Sequence, residues 1–250
     1  MKFFLTIAAS DTSGGAGITQ DIRVAEKLGY ACLCAITAIT TQNSEKVFDI
    51  FPTDADILDA QLNVIYSNFS FNVLKVGVIV SNSQIHTVSK FLQKSYDKIK
   101  IVDTVFASSN GTKFLSEELI ETYKSLILPY CSFITPNKYE LELLLKRNLC
   151  SFEEATEEAI LLSKNFCCGI IVKGGHFNEN EKCIKEAVIY NGQVNFLQKR
   201  KLFFKYSHGT GCAFSSAFAI FLSETKDPVQ SAKKATLWVN DYFKMLNKSY

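Results

Sequence analysis

The sequence has little histidine and little proline, and each shortage argues against a class of structure. Three histidines and no Cys-x-x-Cys pair leave the eight cysteines without the partners of a zinc site. Several cysteines stand in apolar segments, where a reduced thiol behaves as a small hydrophobic side chain. We therefore expect a reducing, cytoplasmic location. Only four prolines and no low-complexity stretch argue against a linker between domains.

Neither charge nor hydrophobicity is concentrated along the chain. The 27 basic and 25 acidic residues are interspersed, which disfavours a nucleic-acid-binding protein. The apolar stretch at 211–222 is broken by serines and is shorter than the ~20 residues that span a bilayer. The apolar segment at 3–9 runs into Asp11 and a glycine turn, which favours a buried strand over a signal peptide. We expect neither nucleic acid nor a membrane as partner.

Short β-branched or aromatic segments alternate with segments of helical periodicity. This alternation predicts a single α/β domain over residues 1–250, with a largely parallel central sheet flanked by helices on both faces. The predicted strands are 3–9, 31–37, 47–51, 73–79, 99–103, 133–135, 169–173, 187–190 and 194–197. Glycine and polar clusters follow these strands, at the sheet edge where ligands of open α/β sheets bind.

Two helix starts carry recognisable capping residues. Ser151 with Glu154 predicts a capping box ahead of an amphipathic helix that begins at Phe152. Asp227 followed by Pro228 predicts the start of the last helix, because proline suits the first helical turn.

The strongest chemical signal is Ser207-His208-Gly209-Thr210-Gly211-Cys212, ahead of a helix rich in small residues. Glycines around a helix start leave backbone N–H groups free to converge on a phosphate or a developing oxyanion. Cys212, in the first turn, is predicted to have a lowered pKa. It would then accept a proton from a substrate hydroxyl as general base. The alternative is a glycine turn followed by a buried cysteine.

Weaker candidates stand at other strand ends. The glycine turn at 10–17 fits neither Walker A nor Gly-x-Gly-x-x-Gly, so a dinucleotide-binding dehydrogenase is unsupported. Asp103 would face Mg²⁺ or phosphate, and Lys173 offers a cation. Asn137 and Glu140 share a helix face and would position metal-bound water. Taken alone, the glycine turn is equally a connecting turn, and the other candidates are better explained as a cap, a turn or a solvated charge. Only their joint placement favours a site.

Together these segments resemble the hydroxymethylpyrimidine/phosphomethylpyrimidine kinase family of the ribokinase-like superfamily. The matching stretches follow the family's order and span nearly the whole chain. They are 9–21, 35–43, 134–137 with Glu140, 172–176 and 208–212. The Gly-Thr-Gly segment that ends in Cys212 is discriminating, because sugar kinases of the superfamily usually carry Asp there. The resemblance implies a three-layer ribokinase-like fold and a homodimer.

The resemblance also implies an activity and assigns roles to residues. The reaction would be phosphoryl transfer from ATP, with Mg²⁺, to 4-amino-5-hydroxymethyl-2-methylpyrimidine and then to its monophosphate, in thiamine biosynthesis. Catalysis would fall to Cys212 with an anion hole at Gly209 and Gly211. The substrate-binding positions would be Asp21, Gln42, Val78 and Val105. The nucleotide and metal side would be Asp103, Asn137, Glu140, Lys173 and Thr210, with Asp103 and Glu140 serving the metal, Glu140 through water.

Three departures from the family pattern accompany this match. Thr104 stands where Pro is usual, and Val78 replaces a Met, which predicts a looser pyrimidine pocket. The segment Ser108-Ser109-Asn110-Gly111 lacks a usual cation, which predicts weaker handling of the monophosphate. Two alternatives stay open: a pyridoxal or pyridoxine kinase of the same fold, and a non-catalytic pyrimidine-binding protein.

Overall fold

The computed structural model describes residues 1–43, 45–108, 111–177 and 182–248. The strands within them are β1 (Phe3–Ser10), β2 (Ala31–Gln42), β3 (Val47–Pro52), β4 (Val73–Val76), β5 (Ile99–Val102), β6 (Phe133–Ile134), β7 (Gly169–Lys173), β8 (Cys183–Tyr190) and β9 (Gln193–Arg200). The α-helices are α1 (Gly17–Lys27), α2 (Ala55–Asn68), α3 (Asn82–Lys94), α4 (Glu117–Ile127), α5 (Lys138–Leu145), α6 (Phe152–Phe166), α7 (Thr210–Thr225) and α8 (Pro228–Leu246).

These strands form one sheet in the order β3-β2-β1-β4-β5-β6-β7-β8-β9. The pairs from β2 through β1, β4, β5 and β6 to β7 are all parallel. β3 joins β2 in antiparallel fashion at one side, and β8 and β9 complete the other side with antiparallel pairs. The prediction of a largely parallel sheet is confirmed.

Helices cover both faces of the sheet, as predicted. One core cluster joins the sheet to α2 through α6, and the other joins it to α1, α7 and α8. Strand β1 shows the alternation, since Leu5 and Ile7 belong to the first cluster and Phe4 to the second. Both faces of a central parallel strand are therefore buried. None of the helices in the described part of the chain has the length and apolar composition that crossing a bilayer requires.

All nine predicted strands exist, but only 169–173 has the predicted ends, and the larger differences fall on β2, β4, β8 and β9. β2 continues to Gln42, because its last residues pair with β3 beyond Ser10↔Ile39, the final pair with β1. β8 begins at Cys183 because it pairs with β9 along its whole length. β4 ends at Val76, ahead of a glycine. The extensions of β2 and β8 reflect pairing partners, which local composition does not reveal.

Both predicted helix starts are present, and one differs in detail. Asp227 caps α8 by accepting hydrogen bonds from the N–H groups of residues 229 and 230. Ser151 caps α6 by accepting from the N–H of Glu154 at 3.0 Å. The carboxylate of Glu154, however, accepts from the N–H of Cys150 at 2.7 Å rather than from Ser151. The capping box predicted there is therefore only half formed.

The strand order reverses direction at β1, which has β2 on one side and β4 on the other. Such a switch point opens a crevice beyond the carboxyl ends of the strands. The backbone is tightly packed at this place, since a Cβ on Gly77 would lie 3.1 Å from the Cβ of Ala8. The turn after β1 and the segment after β4 therefore flank the crevice that the topology creates.

Candidate active site

Two glycine turns from opposite halves of the sequence meet at this edge of the sheet. Gly209, the N-cap of α7, has a φ of 84°, which favours glycine. A Cβ at Gly209 would lie 1.8 Å from the carbonyl oxygen of Gly15, so no other residue fits without displacing backbone. The turn that follows β1 and the turn that precedes α7 are thus in direct contact.

A buried carboxylate joins the two turns. Asp11 accepts hydrogen bonds from the N–H of Ser13 at 2.8 Å and from the N–H of Ala16 at 2.7 Å. His208 Nε2 donates to the same carboxylate at 2.8 Å. Burial works to raise the pKa of Asp11, but the hydrogen bonds from His208, Ser13 and Ala16 hold it well below its ordinary value. Asp11 therefore fixes the shape of one turn and its contact with the other.

The first turn of α7 brings backbone N–H groups close to a cation. A helix leaves its first N–H groups without acceptors in the helix, and Gly209 has no side chain to accept from them. Thr210 and Gly211 follow as half-buried residues of that turn. A Cβ on Gly211 would lie 3.9 Å from Lys173 Nζ. The helix N-terminus and the lysine thus converge on one place suited to an anion.

Cys212 is half-buried in the same turn of α7. Burial raises the pKa of its thiol, and the nearby charge of Lys75 and the N–H of Gly17 offset this effect only in part. The predicted lowering of the pKa is therefore wrong. The helix terminus favours the thiolate, but desolvation of the sulfur favours the neutral thiol and is the largest effect here.

Asp21 lies wholly buried rather than facing the crevice. Its carboxylate pairs with Lys75 Nζ at 2.7 Å, and both side chains have no exposed surface. Thr6 Oγ1 and Ser216 Oγ also donate to it, at 2.6 and 2.7 Å. Burial works to lower the pKa of Lys75, but the charges of Asp21, Cys212 and Asp103 and the hydrogen bond to Asp21 together raise it. Direct contact of Asp21 with a pyrimidine, as expected from the sequence, does not fit this burial; the residue supports the site from beneath.

Asp103, Lys173 and Glu140 form a charged cluster where β5 and β7 end. Lys173 Nζ lies 3.2 Å from Asp103 Oδ1 and 3.8 Å from Glu140 Oε2. Thr135 and Ser215 donate hydrogen bonds to Asp103 at 2.9 and 3.0 Å. Burial works to raise the pKa of Asp103, but the charge of Lys173 and these donors lower it. Asp103 is therefore held as an anion next to the lysine.

Asn137 and Glu140 form the capping box of α5. The side chain of Asn137 accepts from the N–H of Glu140 at 3.0 Å, and Glu140 Oε2 accepts from the N–H of Asn137 at 2.9 Å. Thr104 Oγ1 donates to the same Glu140 oxygen at 3.2 Å. Burial and the charge of Asp103 raise the pKa of Glu140 to about 7, although Lys173 works against them. The Asn137 side chain thus acts as the cap of α5 in this structure. Its role toward metal-bound water stays a prediction.

The remaining predicted substrate residues lie along the same edge of the sheet. Val78 and Val105 follow the ends of β4 and β5 and are half-buried. Gln42 ends β2 on the hairpin with β3, also half-buried. Thr12 Oγ1 donates to the carbonyl of Thr40, which attaches this hairpin to the turn after β1. Their contact with a pyrimidine stays a prediction.

Sequence reasoning assigned no role to several residues that build the site. Lys75 carried a usable signal, because a lysine inside the apolar strand 73–76 calls for a buried partner. Ser215 and Ser216 read as small helix residues, yet they donate to Asp103 and Asp21. Only the fold brings those pairs together. Two positions of the segment that lacks the usual cation, Ser109 and Asn110, lie outside the described residues.

The residues fit a magnesium ion that arrives with a nucleotide better than a resident one. Among residues 1–43, 45–108, 111–177 and 182–248, no group of three or more His, Cys, Asp or Glu side chains could hold a metal ion. Asp103 and Glu140 supply two carboxylates, and burial together with their mutual repulsion raises the pKa of Glu140. A dication would relieve that repulsion. Mg²⁺ accepts such a sparse protein set, because phosphate oxygens and waters complete its shell.

Comparison with known proteins places this geometry in a family. The family model described as phosphomethylpyrimidine kinase matches residues 11–248. The chain belongs to the phosphomethylpyrimidine kinase family. A relative from Aquifex aeolicus named hydroxymethylpyrimidine/phosphomethylpyrimidine kinase is 31% identical over 245 residues, covering 98% of this chain and 95% of the relative.

Solved structures agree with the family in fold. The pyridoxal kinase from Staphylococcus aureus in complex with ADP has a TM-score of 0.87 and 26% identity, covering 98% of this chain and 88% of that one. The phosphomethylpyrimidine kinase from Clostridium difficile has a TM-score of 0.81 and 24% identity, covering 97% and 99%. The ribokinase-like fold expected from the sequence is confirmed, and the members of the family to which the chain belongs are phosphotransferases.

Proposed function

We propose that this chain transfers the γ-phosphoryl group of ATP to the hydroxymethyl group of 4-amino-5-hydroxymethyl-2-methylpyrimidine, and then a second phosphoryl group to the monophosphate. The observation that carries the proposal is the convergence of Lys173 Nζ with the N-terminus of α7, 3.9 Å from the position of a Cβ on Gly211. The family match supports the substrate and a place in thiamine biosynthesis. The kinase neighbour in complex with ADP supports ATP as the donor.

The chemistry follows from what phosphoryl transfer needs. Negative charge spreads over the oxygens of the transferring group, and catalysis consists mainly of positioning and charge stabilisation. The N–H groups at the start of α7 and the cation of Lys173 are positioned to stabilise that charge. Asp103 holds Lys173 in place through their 3.2 Å pair. Mg²⁺ supplies a further positive charge when bound with ATP, and Asp103 and Glu140 are the residues that would hold it.

The raised pKa of Cys212 changes the role expected of it. A neutral thiol already carries its proton, so only the small ionised fraction of Cys212 can act as a base at neutral pH. We assign the thiol to orienting the substrate hydroxyl, and its thiolate form to taking the hydroxyl proton as the O–P bond forms, which leaves a neutral thiol. The Asp21–Lys75 pair lies beneath it, and the charge of Lys75 favours the thiolate that this step consumes.

The acceptor side is proposed from the residues at the ends of β2, β4 and β5. Gln42 both donates and accepts hydrogen bonds, which suits the amino group and ring nitrogens of a pyrimidine. Val78 and Val105 offer half-buried apolar surface for the ring. A valine at position 78 leaves more room than methionine would. The second phosphorylation is the more demanding step, because the monophosphate brings its own negative charge to the site.

One assay compares the candidate functions. Purified protein with MgATP is offered hydroxymethylpyrimidine, its monophosphate or pyridoxal, and ADP formation is measured for each. We expect the highest kcat/KM with hydroxymethylpyrimidine. Faster turnover of pyridoxal would favour the alternative supported by the similarity to the Staphylococcus aureus kinase. Tight pyrimidine binding without ADP formation would indicate a binding protein instead.

We propose further that the enzyme is a cytoplasmic homodimer. All eight cysteines are free thiols, which suits a reducing compartment. Ile39, Phe48 and Phe51 expose more than half of their surfaces on the β2–β3 hairpin, and such an apolar patch is suited to contact with a second copy. Sedimentation equilibrium of wild-type protein and of the Phe48→Asp variant tests the dimer, which we expect only for the wild type.

A further inference from the structure

Two thiols converge on strand β2, away from the proposed anion site. Cys32 and Cys34 are separated by one residue, so their side chains lie on the same face of the strand. Cys34 Sγ lies 3.9 Å from Cys32 Sγ. Both residues are half-buried, and Cys32 packs against the cluster formed with α1, α7 and α8. The two sulfurs therefore form a pair that is partly accessible to small ions.

A hydrogen bond joins the two thiols. The thiol–thiol hydrogen bond lowers the pKa of Cys34 and raises the pKa of Cys32, with burial adding to the rise. The charges that face the pair are those of Asp21 and Lys75, which are already bound to each other at 2.7 Å. Neither residue is thus a free counter-ion for the sulfurs. A thiolate therefore forms more readily at this pair than at an isolated buried cysteine.

Strand geometry opposes a disulfide between these sulfurs. Residues two apart on a strand stand about 6.5 Å apart, with side chains roughly parallel. A disulfide needs its two Cβ atoms within roughly 3.5–4.5 Å. The parallel pairs Phe4↔Cys32 and Thr6↔Cys34 with β1 hold β2 extended, which prevents the strand from bending to close that distance. The sulfurs face each other at a separation that a bridging atom, rather than a direct bond, would fill.

The ligand chemistry of two thiolates determines which metal ions the pair would bind. Thiolate ligands favour soft metal ions, Cu(I) and Zn²⁺ among them. Zinc in structural sites takes four ligands, and the described residues contain no group of three or more His, Cys, Asp or Glu side chains suited to a metal. We propose that Cys32 and Cys34 form a two-thiolate site for a soft monovalent ion of the Cu(I) class. Binding forms two metal–sulfur bonds and releases the thiol protons to solvent, with no change in oxidation state.

A competition titration tests this site on the whole chain. Reduced protein is titrated anaerobically with Cu(I) held by bicinchoninate, and the Cys32→Ser and Cys34→Ser variants are compared with wild type. Cys183→Ser, at a half-buried thiol on β8, is the matched control. We expect wild type and control to withdraw one tightly held Cu(I), and each site variant to bind at least about 100-fold more weakly. Equal affinity in all four proteins would overturn the proposal.

Alkylation of the wild-type protein tests the site without any variant. Iodoacetamide labelling of each cysteine, followed by peptide mass spectrometry, is compared with and without one equivalent of Cu(I). We expect protection of Cys32 and Cys34 but continued labelling of the exposed Cys150 and Cys167. Protection of other cysteines instead would overturn the proposal. A Cys32–Cys34 disulfide formed in air by metal-free protein would also overturn it.

Discussion

His208 Nε2 donates a 2.8 Å hydrogen bond to the carboxylate of Asp11, across 197 residues of sequence. The two turns joined by this bond carry the glycines that meet at Gly15 and Gly209. Neither turn has the glycine spacing of a familiar phosphate loop. The anion site is therefore built from two incomplete loops, each of which positions the other.

Breaking this bond should reduce activity more than stability. We expect His208→Ala to lower kcat/KM for hydroxymethylpyrimidine about ten-fold, because a hydrogen bond to a charged group contributes on the order of 1.5–3 kcal/mol. His86→Ala, at an exposed position on α3, is the control and should be unchanged. Steady-state kinetics with far-UV circular dichroism measure both effects. Wild-type kcat/KM in the His208 variant would show that the turns keep their positions without the bond.

The buried Asp21–Lys75 pair should behave as a coupled unit. Removing one partner leaves a buried charge unpaired, so we expect Asp21→Asn and Lys75→Met each to lower the free energy of unfolding by about 3–5 kcal/mol. The double variant should lose much less than the sum of the two. Urea unfolding of the double-mutant cycle measures the coupling. Lys244→Met, from the exposed pair with Asp241, is the control. Additive losses would mean that the pair is not coupled.

Glu140 should make stability fall as pH rises. Its pKa is raised from 4.5 to about 7, so the folded chain keeps a proton that the unfolded chain has already lost between these values. Ionisation of the folded chain is thus disfavoured, by up to about 3 kcal/mol. We expect Glu140→Gln to gain stability relative to wild type between about pH 5 and about pH 7.5, measured by urea unfolding. Parallel pH curves for the two proteins would contradict the raised pKa.

Cys212→Ala should reduce kcat at least about 100-fold, the usual scale for loss of a proton acceptor. Because burial raises the thiol pKa, we also expect the wild-type rate to be still rising with pH at the ordinary thiol value of 9.0. Cys150→Ala, at an exposed cysteine, is the control. Turnover measured across the pH range gives both quantities. A plateau near neutral pH would show that the thiol does not limit proton transfer.

Gln42→Ala should weaken pyrimidine binding and leave ATP binding unchanged. The reason is position, since Gln42 ends β2 on the hairpin, whereas Asp103 and Lys173 lie across the sheet at β5 and β7. Calorimetric titration with hydroxymethylpyrimidine and with ATP measures the two affinities separately. Asn63→Ala, on the exposed surface of α2, is the control. Equal losses of both affinities would mean that Gln42 supports the fold rather than recognising the ring.

The sequence was sufficient for the elements and for the neighbourhood of the site. Each strand is marked by local composition, and each candidate cluster lies at a strand end, so the parallel topology brings them to one edge. The buried ion pairs could not be predicted from local sequence. Asp21 and Lys75 lie 54 residues apart, and only the packing of α1 against the sheet reveals that each neutralises the other.

One wrong prediction and one unexpected pair of contacts share that cause. The pKa of Cys212 was inferred from its place in a helix, but the effect that dominates is the loss of water around the sulfur. Asn137 and Glu140 were correctly placed on one helix face, yet the nearest partners of each turned out to be the other's backbone N–H. Local spacing predicted that the two residues are in contact. Which atoms form the hydrogen bonds depends on the surrounding structure.

The contact between Gly15 and Gly209 has a consequence for the synthesis of the protein itself on the ribosome. The turn after β1 leaves the ribosome early, but its partner emerges only after the whole sheet has been synthesised. A nascent chain that stops before residue 208 thus contains most of the hydrophobic core without an anion site. Premature termination should therefore yield proteins able to collapse but unable to consume ATP, so an abortive product would not compete with the finished kinase for nucleotide.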